Sequence, residues 1–249
     1  MNEAEYQRMF RVEDRHWWYI ALHELVISQV AAEATAKGPL QIFDAGCGTG
    51  RLAELLSPYG EISGCDASPL AIAFCRQRGL SSMTQAALQD VTLPANHFDV
   101  ITCIDVLYHR GIDDDVAVLE RLRTALKPGG LLLIHLVAAP ALYSSHDLAV
   151  HSRERYTRPL LQQRLEKAGF TIAQLTYRVA TLFPLIAAWR RLRRREPDVA
   201  PSEVVSDLSL PPALINAALL RLMRAENWLL RHVNLPCGSS LLAVCRRPQ

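Results

Sequence analysis

The segment from Gln41 to Asp66, QIFDAGCGTGRLAELLSPYGEISGCD, decides the fold of this chain. Its first residues are apolar up to Ala45, which predicts a buried strand. Three glycines on alternate positions follow, and glycine lets the backbone turn sharply and a ligand approach the main chain. An amphipathic helix and a second apolar strand ending at Asp66 come next. This order of strand, glycine turn, helix, strand and acid predicts an α/β sheet that binds a nucleotide or an adenosine, with the acid on the ribose hydroxyls.

The details of the glycine turn indicate which adenosine ligand it binds. A dinucleotide site favours G-x-G-x-x-G, with a helix N-terminus facing a pyrophosphate. Here the spacing is G-x-G-x-G, and Arg51 stands in place of the last glycine. Asp44, directly before the turn, would repel a pyrophosphate but suits a ligand with a cationic amino group. A nicotinamide-dependent reductase is therefore the disfavoured alternative.

Several strings resemble one known family. D-A-G-C-G-T-G, followed by G-C-D-A-S, resembles motif I and the acidic loop of class I S-adenosylmethionine (SAM) methyltransferases. Phe98-Asp99 before the fourth predicted strand and K-P-G-G-x-L before the fifth resemble the same family, best over residues 40–175. The D-V-L-Y-H string looks like its ubiquinone/menaquinone-biosynthesis and polyketide-tailoring branch. The resemblance implies an α/β, Rossmann-like sheet of seven mostly parallel strands, with helices on both faces, an antiparallel last strand and a helical lid.

The family's layout divides the chain into four parts. These are an N-terminal helical lid over 1–38, a SAM-binding core over 39–178, a helical insert over 179–238 and a final core strand over 239–249. We expect the insert, together with the long segment 138–156 after the fifth strand, to form the acceptor chamber. The side chains expected to line it are Phe183, Leu185, Trp189, Leu222 and Trp228, with Tyr143 and His146 as polar contacts.

The resemblance implies SAM as cofactor, S-adenosyl-L-homocysteine as product, and a set of contact residues. The family usually places a small acidic group against the adenine amine, but that position is Ala87 here. Backbone around Ala87 and apolar packing would then hold adenine, with Gln89 or Asp90 as alternatives. The expected cofactor-binding residues are Asp44, Ala45, Gly46, Cys47, Gly48, Gly50, Asp66, Ala67, Ala87, Leu88, Cys103, Ile104 and, from the lid, Trp17.

The expected reaction is methylation at O, N or C of a small, lipophilic or aromatic acceptor. Positioning makes the largest contribution to such a displacement, and a general base adds ~10²–10⁴-fold. His109 leads as the base because histidine titrates near neutral pH. The alternative function is a SAM-binding protein that transfers no methyl group, such as a pericyclase-like or regulatory relative. The catalytic candidates are His109, Tyr108, Asp105, His146 and Tyr143, with His151 next and the mid-strand His135 as a structural residue.

A divalent cation is a further alternative, with Asp105 and Asp147 as oxygen ligands. The spacing of these acids does not require one, so no metal site is predicted. The six cysteines form no C-x-x-C pair, which favours buried thiols in a reducing compartment and argues against zinc.

Composition sets the expected surroundings of the chain. Of its 249 residues, 50% are apolar, and the net charge is +2. The first residues lack the apolar region of a signal peptide, and no apolar run is long enough to span a bilayer, so we expect a cytoplasmic protein. The partners expected are a small-molecule acceptor and no nucleic acid, in a monomer or homodimer. The basic run Arg190–Arg195 is either a solvated face or a peripheral membrane contact.

Overall fold

A computed structural model of the chain describes residues 1–192 and 208–249. Within them the strands are β1 (Leu40–Ala45), β2 (Gly60–Asp66), β3 (Met83–Gln85), β4 (Phe98–Ile104), β5 (Leu126–Val137), β6 (Thr171–Arg178) and β7 (Ser240–Arg246). The helices are α1 (Glu3–Val12), α2 (Trp17–Lys37), α3 (Arg51–Leu56), α4 (Pro69–Gln77), α5 (Asp115–Ala125), α6 (Ser145–Ala149), α7 (Arg158–Lys167), α8 (Phe183–Leu192) and α9 (Ala213–Leu229).

The strands form one sheet in the order β3-β2-β1-β4-β5-β7-β6. The pairs from β3 through β5 are parallel, whereas β7 runs antiparallel to both β5 and β6. This confirms the predicted Rossmann-like sheet with an antiparallel last strand. Because the strand order reverses between β1 and β4, the carboxyl ends of these two strands flank the crevice where such sheets bind ligands.

Helices cover both faces of the sheet because neighbouring strand residues point to opposite sides. Ile42 packs with α2 and α3, whereas Phe43 packs with α5 and α7. Both faces are apolar, as expected for parallel strands covered on both sides. The strand backbone is therefore held rigid beneath the crevice, and residues at the strand ends have fixed positions.

The polar N-terminal segment, part of the helical lid expected over 1–38, forms α1. Its anchor is Glu13, a 3% exposed carboxylate just past the helix. Glu13 accepts hydrogen bonds from Thr49 Oγ1 at 2.6 Å and from Arg78 Nη2 at 2.8 Å. Phe10 stacks on Phe74 of α4, with ring centroids 4.3 Å apart. These charge-assisted bonds and the ring contact fix α1 over the glycine turn.

The segment 179–238 differs from the expected chamber. Its helix α9 packs against α2, with Met223 and Leu220 in a small cluster beside Trp17. Leu185, Trp189 and Trp228 are 69%, 52% and 61% exposed. Helix α9 therefore lies beside the N-terminal helices, whereas α8 reaches the edge of the crevice through Arg190. In residues 1–192 and 208–249, no helix has the length and apolar character needed to cross a membrane.

Candidate functional site

A cavity of about 670 Å³ opens at the carboxyl ends of β1, β2 and β4, with α1 and α2 as its roof. Its volume is in the range of small-molecule sites. Most of the residues predicted from sequence meet in its wall. These are Asp44, Gly46, Cys47, Gly48, Asp66, Ala67, Ala87, Leu88, Ile104, Asp105, Tyr108, His109, His151 and Trp17.

Asp66 is the last residue of β2, and three nearby hydrogen-bond donors hold its carboxylate. Its Oδ2 accepts the Gly48 N–H at 3.0 Å, and its Oδ1 accepts the Ser68 N–H at 2.9 Å. The Tyr6 hydroxyl from α1 donates to Oδ1 at 3.0 Å. Burial and the Asp66 charge raise the pKa of Tyr6, so this phenol stays protonated. Asp66 is thus a fixed acceptor of hydroxyl hydrogens at the cavity wall.

The glycine turn is tight because its backbone N–H groups bond to the end of β2. The Gly46 and Cys47 N–H groups both donate to Cys65 O, at 2.8 and 2.9 Å. Gly46 has φ +80°, and a Cβ there would lie 2.3 Å from Val106 Cγ2. At Gly48 a Cβ would meet only Met9 Cε, at 3.2 Å. Gly46 is therefore required by packing against the segment after β4, whereas Gly48 leaves room beneath the roof.

Asp44 lies at the end of β1 and is 2% exposed. Burial raises its pKa to about 6, the Thr102 hydroxyl at 2.6 Å opposes that rise, and the charge of Asp66 adds to it. Its carboxylate is therefore poorly compensated, which suits a cationic group in the cavity.

Asp105 follows β4 with φ +58°, a left-handed conformation that costs a non-glycine residue about 1–3 kcal/mol. Its N–H donates to His135 O at 2.7 Å. Its two carboxylate oxygens each lie 3.1 Å from His135 Nδ1. The strained backbone and the histidine together aim this carboxylate at the cavity.

His109, the leading base candidate, lies in the cavity wall one turn beyond Asp105. Burial, with the nearby chain N-terminal amine, lowers its pKa to about 4. Its Nδ1 is buried, with no hydrogen-bond partner in the described part of the chain. Burial raises the pKa of the adjacent Tyr108 well above its ordinary value. Both side chains are therefore neutral at physiological pH and are suited to hydrogen bonding.

Some residues predicted to contact ligands lie elsewhere. The side chains of Ala45 and Cys103 are fully buried in the core, so a contact of these two residues with a ligand would be made by their backbone. Gly50 packs on α4, where a Cβ would lie 2.9 Å from Cys75 Sγ. The following residues also lie outside the cavity wall: Gln89, Asp90, Tyr143, Phe183, Leu185, Trp189, Leu222 and Trp228.

The long segment 138–156 contains two short helical turns and contributes its last part to the wall. Tyr143 is 43% exposed and donates to Ser152 O at 3.2 Å, so it is turned to the surface. The side chain of His146 lies outside the described structure. Asp147 is fully buried and binds Arg155 Nε at 2.8 Å. Because that pair neutralises Asp147, it is unavailable as a ligand for a cation.

No group of three or more His, Cys, Asp or Glu side chains in the described ranges could hold a metal ion. The sequence reasoning did not find Tyr6 or Arg178, both of which bear on the site. Arg178 is 1% exposed at the end of β6. An arginine inside an apolar strand pattern was the available signal for it, whereas nothing in the first fifteen residues pointed to Asp66.

The chain was compared with known proteins. The methyltransferase domain family matches residues 43–134. A ubiquinone biosynthesis O-methyltransferase from Xanthomonas axonopodis pv. citri is 30% identical over 175 residues, 64% of this chain and 70% of that protein. A protein of the same name from Xanthomonas campestris pv. campestris is 30% identical over 148 residues, 56% of this chain. The match spans 59% of that relative's length.

Solved structures share the fold. An S-adenosylmethionine dependent methyltransferase from Mesorhizobium loti matches with a TM-score of 0.58 at 17% identity, covering 94% of this chain and 100% of that one. A SAM dependent methyltransferase from Archaeoglobus fulgidus matches with a TM-score of 0.56 at 18% identity, covering 90% and 94%. At such identities the likeness shows the architecture alone.

Proposed function

This chain belongs to the class I S-adenosylmethionine-dependent methyltransferases, and we propose that it methylates a small, lipophilic or aromatic acceptor. The observation that carries the proposal is one continuous cavity. It joins the glycine turn and Asp66 to three polar side chains after β4, namely Asp105, Tyr108 and His109. A methyl donor and an acceptor can therefore meet without crossing bulk water.

The residues of the wall fit SAM. The buried Asp44 carboxylate suits the α-ammonium group, and Asp66 suits the ribose hydroxyls. Ala87 and Leu88 offer backbone and an apolar surface for adenine. SAM supplies a methyl carbon activated by the sulfonium. The protein holds both reactants in line, excludes water and accepts the proton that the acceptor loses.

The rest of the wall favours an apolar acceptor. Trp17, Trp18, Leu22 and Val150 line the cavity, and Tyr108 adds an aromatic ring. The relatives named for ubiquinone biosynthesis O-methylation support a ring hydroxyl as the methylated group. The acceptor proposed is therefore a phenol or catechol that carries an apolar chain.

The test is SAM calorimetry followed by turnover with 4-octylcatechol and with matched amines and quinols. We expect binding at one site per chain and S-adenosyl-L-homocysteine that accumulates only with an acceptor. SAM binding without S-adenosyl-L-homocysteine from any acceptor would favour the alternative, a SAM-binding protein without methyl transfer. Tight binding of NAD(H) but not of SAM would refute both.

We also propose that α8 and α9 contact a membrane surface. Leu185, Trp189 and Leu192 lie on one side of α8 at helical spacing and are 69%, 52% and 85% exposed. The adjoining arginines suit anionic lipid headgroups. Arg190 is not simply solvated, because its Nη1 donates to Leu142 O and Ser144 Oγ. Arg193, Arg194 and Arg195 lie outside the described residues.

Vesicle sedimentation tests the membrane contact. We expect binding to phosphatidylcholine vesicles that contain phosphatidylglycerol, and little binding to pure phosphatidylcholine. The double change Leu185→Ser and Leu192→Ser should abolish it, whereas Val233→Ser, at an exposed apolar residue outside both helices, should not. Equal sedimentation of all three proteins would contradict the proposal.

A further inference from the structure

A row of three polar side chains runs from the cavity into the core. Asp105 is in the cavity wall, and His135 on β5 lies behind it with its side chain fully buried. Behind His135 is Arg178, whose Nη1 lies 3.4 Å from His135 Nε2. The row crosses under the antiparallel strand β7, which pairs with β5 at His135 and with β6 at Arg178. It is therefore built from strands that are distant in sequence.

The two ends of the row fix the tautomer of the histidine between them. A guanidinium can only donate hydrogen bonds, so His135 Nε2 must present its lone pair to Arg178. The remaining ring proton then lies on Nδ1, 3.1 Å from both oxygens of Asp105. A second proton on Nε2 would face the guanidinium. The row thus directs the Nδ1 proton of His135 to the Asp105 carboxylate.

Burying the charged Arg178 side chain costs free energy of folding, which indicates that the residue has a role other than stabilising the fold. The side chain is buried, its Nε has no partner among the described residues, and the same residues place no carboxylate within ion-pair distance of it. Burial lowers its pKa to about 10, opposed by the charges of Glu226 and Asp105, so it stays protonated at neutral pH. Buried charges are often replaceable by apolar residues without loss of stability.

The row is also tied to the roof of the cavity. Arg178 Nη2 donates to Asn227 Oδ1 at 3.3 Å, and Asn227 Nδ2 donates to Ala21 O of α2 at 2.7 Å. The Trp18 ring from α2 meets the His135 ring edge-on, with centroids 5.5 Å apart. The histidine is therefore clamped on its cavity side as well, and the carboxylate that it holds has little freedom.

We propose that His135 and Arg178 are positioning residues that hold Asp105 as the proton acceptor for the methylated hydroxyl. This rests on the proposed methyl transfer. An oxygen lone pair of the acceptor forms the new C–O bond, the C–S bond breaks with its electron pair going to sulfur, and the O–H proton passes to the Asp105 carboxylate. The proton becomes more acidic as the oxygen gains positive charge, so a carboxylate can accept it. His109, whose pKa is near 4, is then a hydrogen-bonding contact.

The first experiment determines the tautomer of His135 by NMR and does not depend on enzyme activity. Long-range ¹H–¹⁵N correlation spectra of the full chain with S-adenosyl-L-homocysteine should show the ring proton of His135 on Nδ1 and the lone pair on Nε2. His135→Asn identifies the signal by its loss. In Arg178→Met, an apolar replacement of similar length, the tautomer should become mixed. A wild-type His135 that carries its proton on Nε2, or on both nitrogens, would overturn the proposal.

The second experiment is a double-mutant cycle with 4-octylcatechol as acceptor. Asp105→Asn should lower kcat by ~10²–10⁴-fold, and His135→Leu by at least about tenfold, with KM for the catechol little changed. His135→Asn retains a donor near the Nδ1 position and should recover most of the loss. Combined with Asp105→Asn, His135→Leu should add nothing, because it acts through Asp105.

Thr176→Val is the matched control, since Thr176 is a buried hydrogen-bonding residue on β6, like Arg178, but its hydroxyl bonds to the Leu235 N–H and the Tyr177 carbonyl and not to His135. It should leave kcat within about twofold, and all variants should keep SAM affinity within about threefold. Multiplied losses in the double variant would show a merely structural role and refute the proposal. If no acceptor is methylated while SAM binds, the proposed function fails, and the spectra still decide whether the row holds Asp105 as described.

Discussion

Asp66 and Asp105 are both carboxylates at the carboxyl end of a parallel strand, in one cavity, yet they are held in different ways. Asp66 accepts backbone N–H groups from Gly48 and Ser68, both within or beside its own strand–turn–helix unit. Asp105 depends on His135, which lies 30 residues later on the neighbouring strand. Asp66 is thus positioned by local backbone, and Asp105 by a buried side chain.

This difference matches the two tasks proposed for the acids. Backbone donors hold a carboxylate wherever the turn forms, which suits the proposed contact with the ribose. A side-chain row depends on residues outside the turn, which suits the proposed contact with the acceptor. The comparison predicts that changes at the two acids separate cofactor binding from turnover.

The largest separation is expected from Asp66→Ala. It removes the proposed acceptor of the ribose hydroxyls, and each hydrogen bond to a charged group contributes roughly 1.5–3 kcal/mol, so SAM affinity should fall at least about tenfold. Calorimetry measures it, with Asp105→Ala as the control that should stay within about threefold of wild type. If both variants lose affinity equally, the two acids do not have separate tasks.

A substitution at Gly46 should disturb the glycine turn and the segment after Asp105 together. Gly46 carries φ +80° and would place a Cβ 2.3 Å from Val106 Cγ2, so alanine there strains the turn and pushes the segment after Asp105. We expect Gly46→Ala to lower the free energy of unfolding by about 1–3 kcal/mol and to reduce both SAM affinity and kcat. Gly48→Ala, facing only Met9, should cost less stability in the same denaturation experiment. The reverse order would contradict the packing argument.

The third prediction concerns the pH dependence of SAM binding at Asp44. The pKa of Asp44 is raised to about 6 in the free protein, and an ammonium partner requires the ionised form. Binding of SAM should therefore release about half a proton at pH 6 and almost none at pH 8, and affinity should decline as pH falls below 6. Calorimetry in two buffers of different ionisation enthalpy measures the release. Asp44→Asn should remove it, and proton uptake would refute the assignment.

The smallest effect is expected from Tyr6→Phe. The Tyr6 hydroxyl occupies Asp66 Oδ1, where a ribose hydroxyl would compete with it. Removing this competitor, whose bond to the charged acceptor contributes roughly 1.5–3 kcal/mol, should strengthen SAM binding a few-fold, because only part of that free energy is recovered by the ribose hydroxyl. Titration calorimetry on Tyr6→Phe and on Phe10→Leu, which keeps the hydroxyl, separates this effect from loosening of α1. Weaker binding in Tyr6→Phe alone would mean that the hydroxyl contacts the ligand directly.

The sequence predicted the sheet and the strand-end residues because those signals are local. The local backbone path can be predicted from sequence alone, from the apolar runs of β1, β4 and β5 and from the glycines between β1 and α3. The same reasoning located the strand ends but not which side of the sheet each side chain faces, and the side chains of Ala45 and Cys103 point into the core. It expected 138–156 and 179–238 to form the chamber, but apolar composition cannot distinguish a lining surface from an exposed one, and Leu185, Trp189 and Trp228 are exposed.

The sequence by itself determined the family, the parallel sheet and the ligand-facing end of the strands, since periodicity and turn chemistry depend on neighbours along the chain. Only the tertiary structure brought Tyr6 to Asp66 and aligned Arg178 and His135 behind Asp105. Those contacts join residues separated by 60, 43 and 30 positions. Their geometry depends on how helices and strands pack, and a side chain's chemistry in a buried row is set by partners that no local pattern specifies.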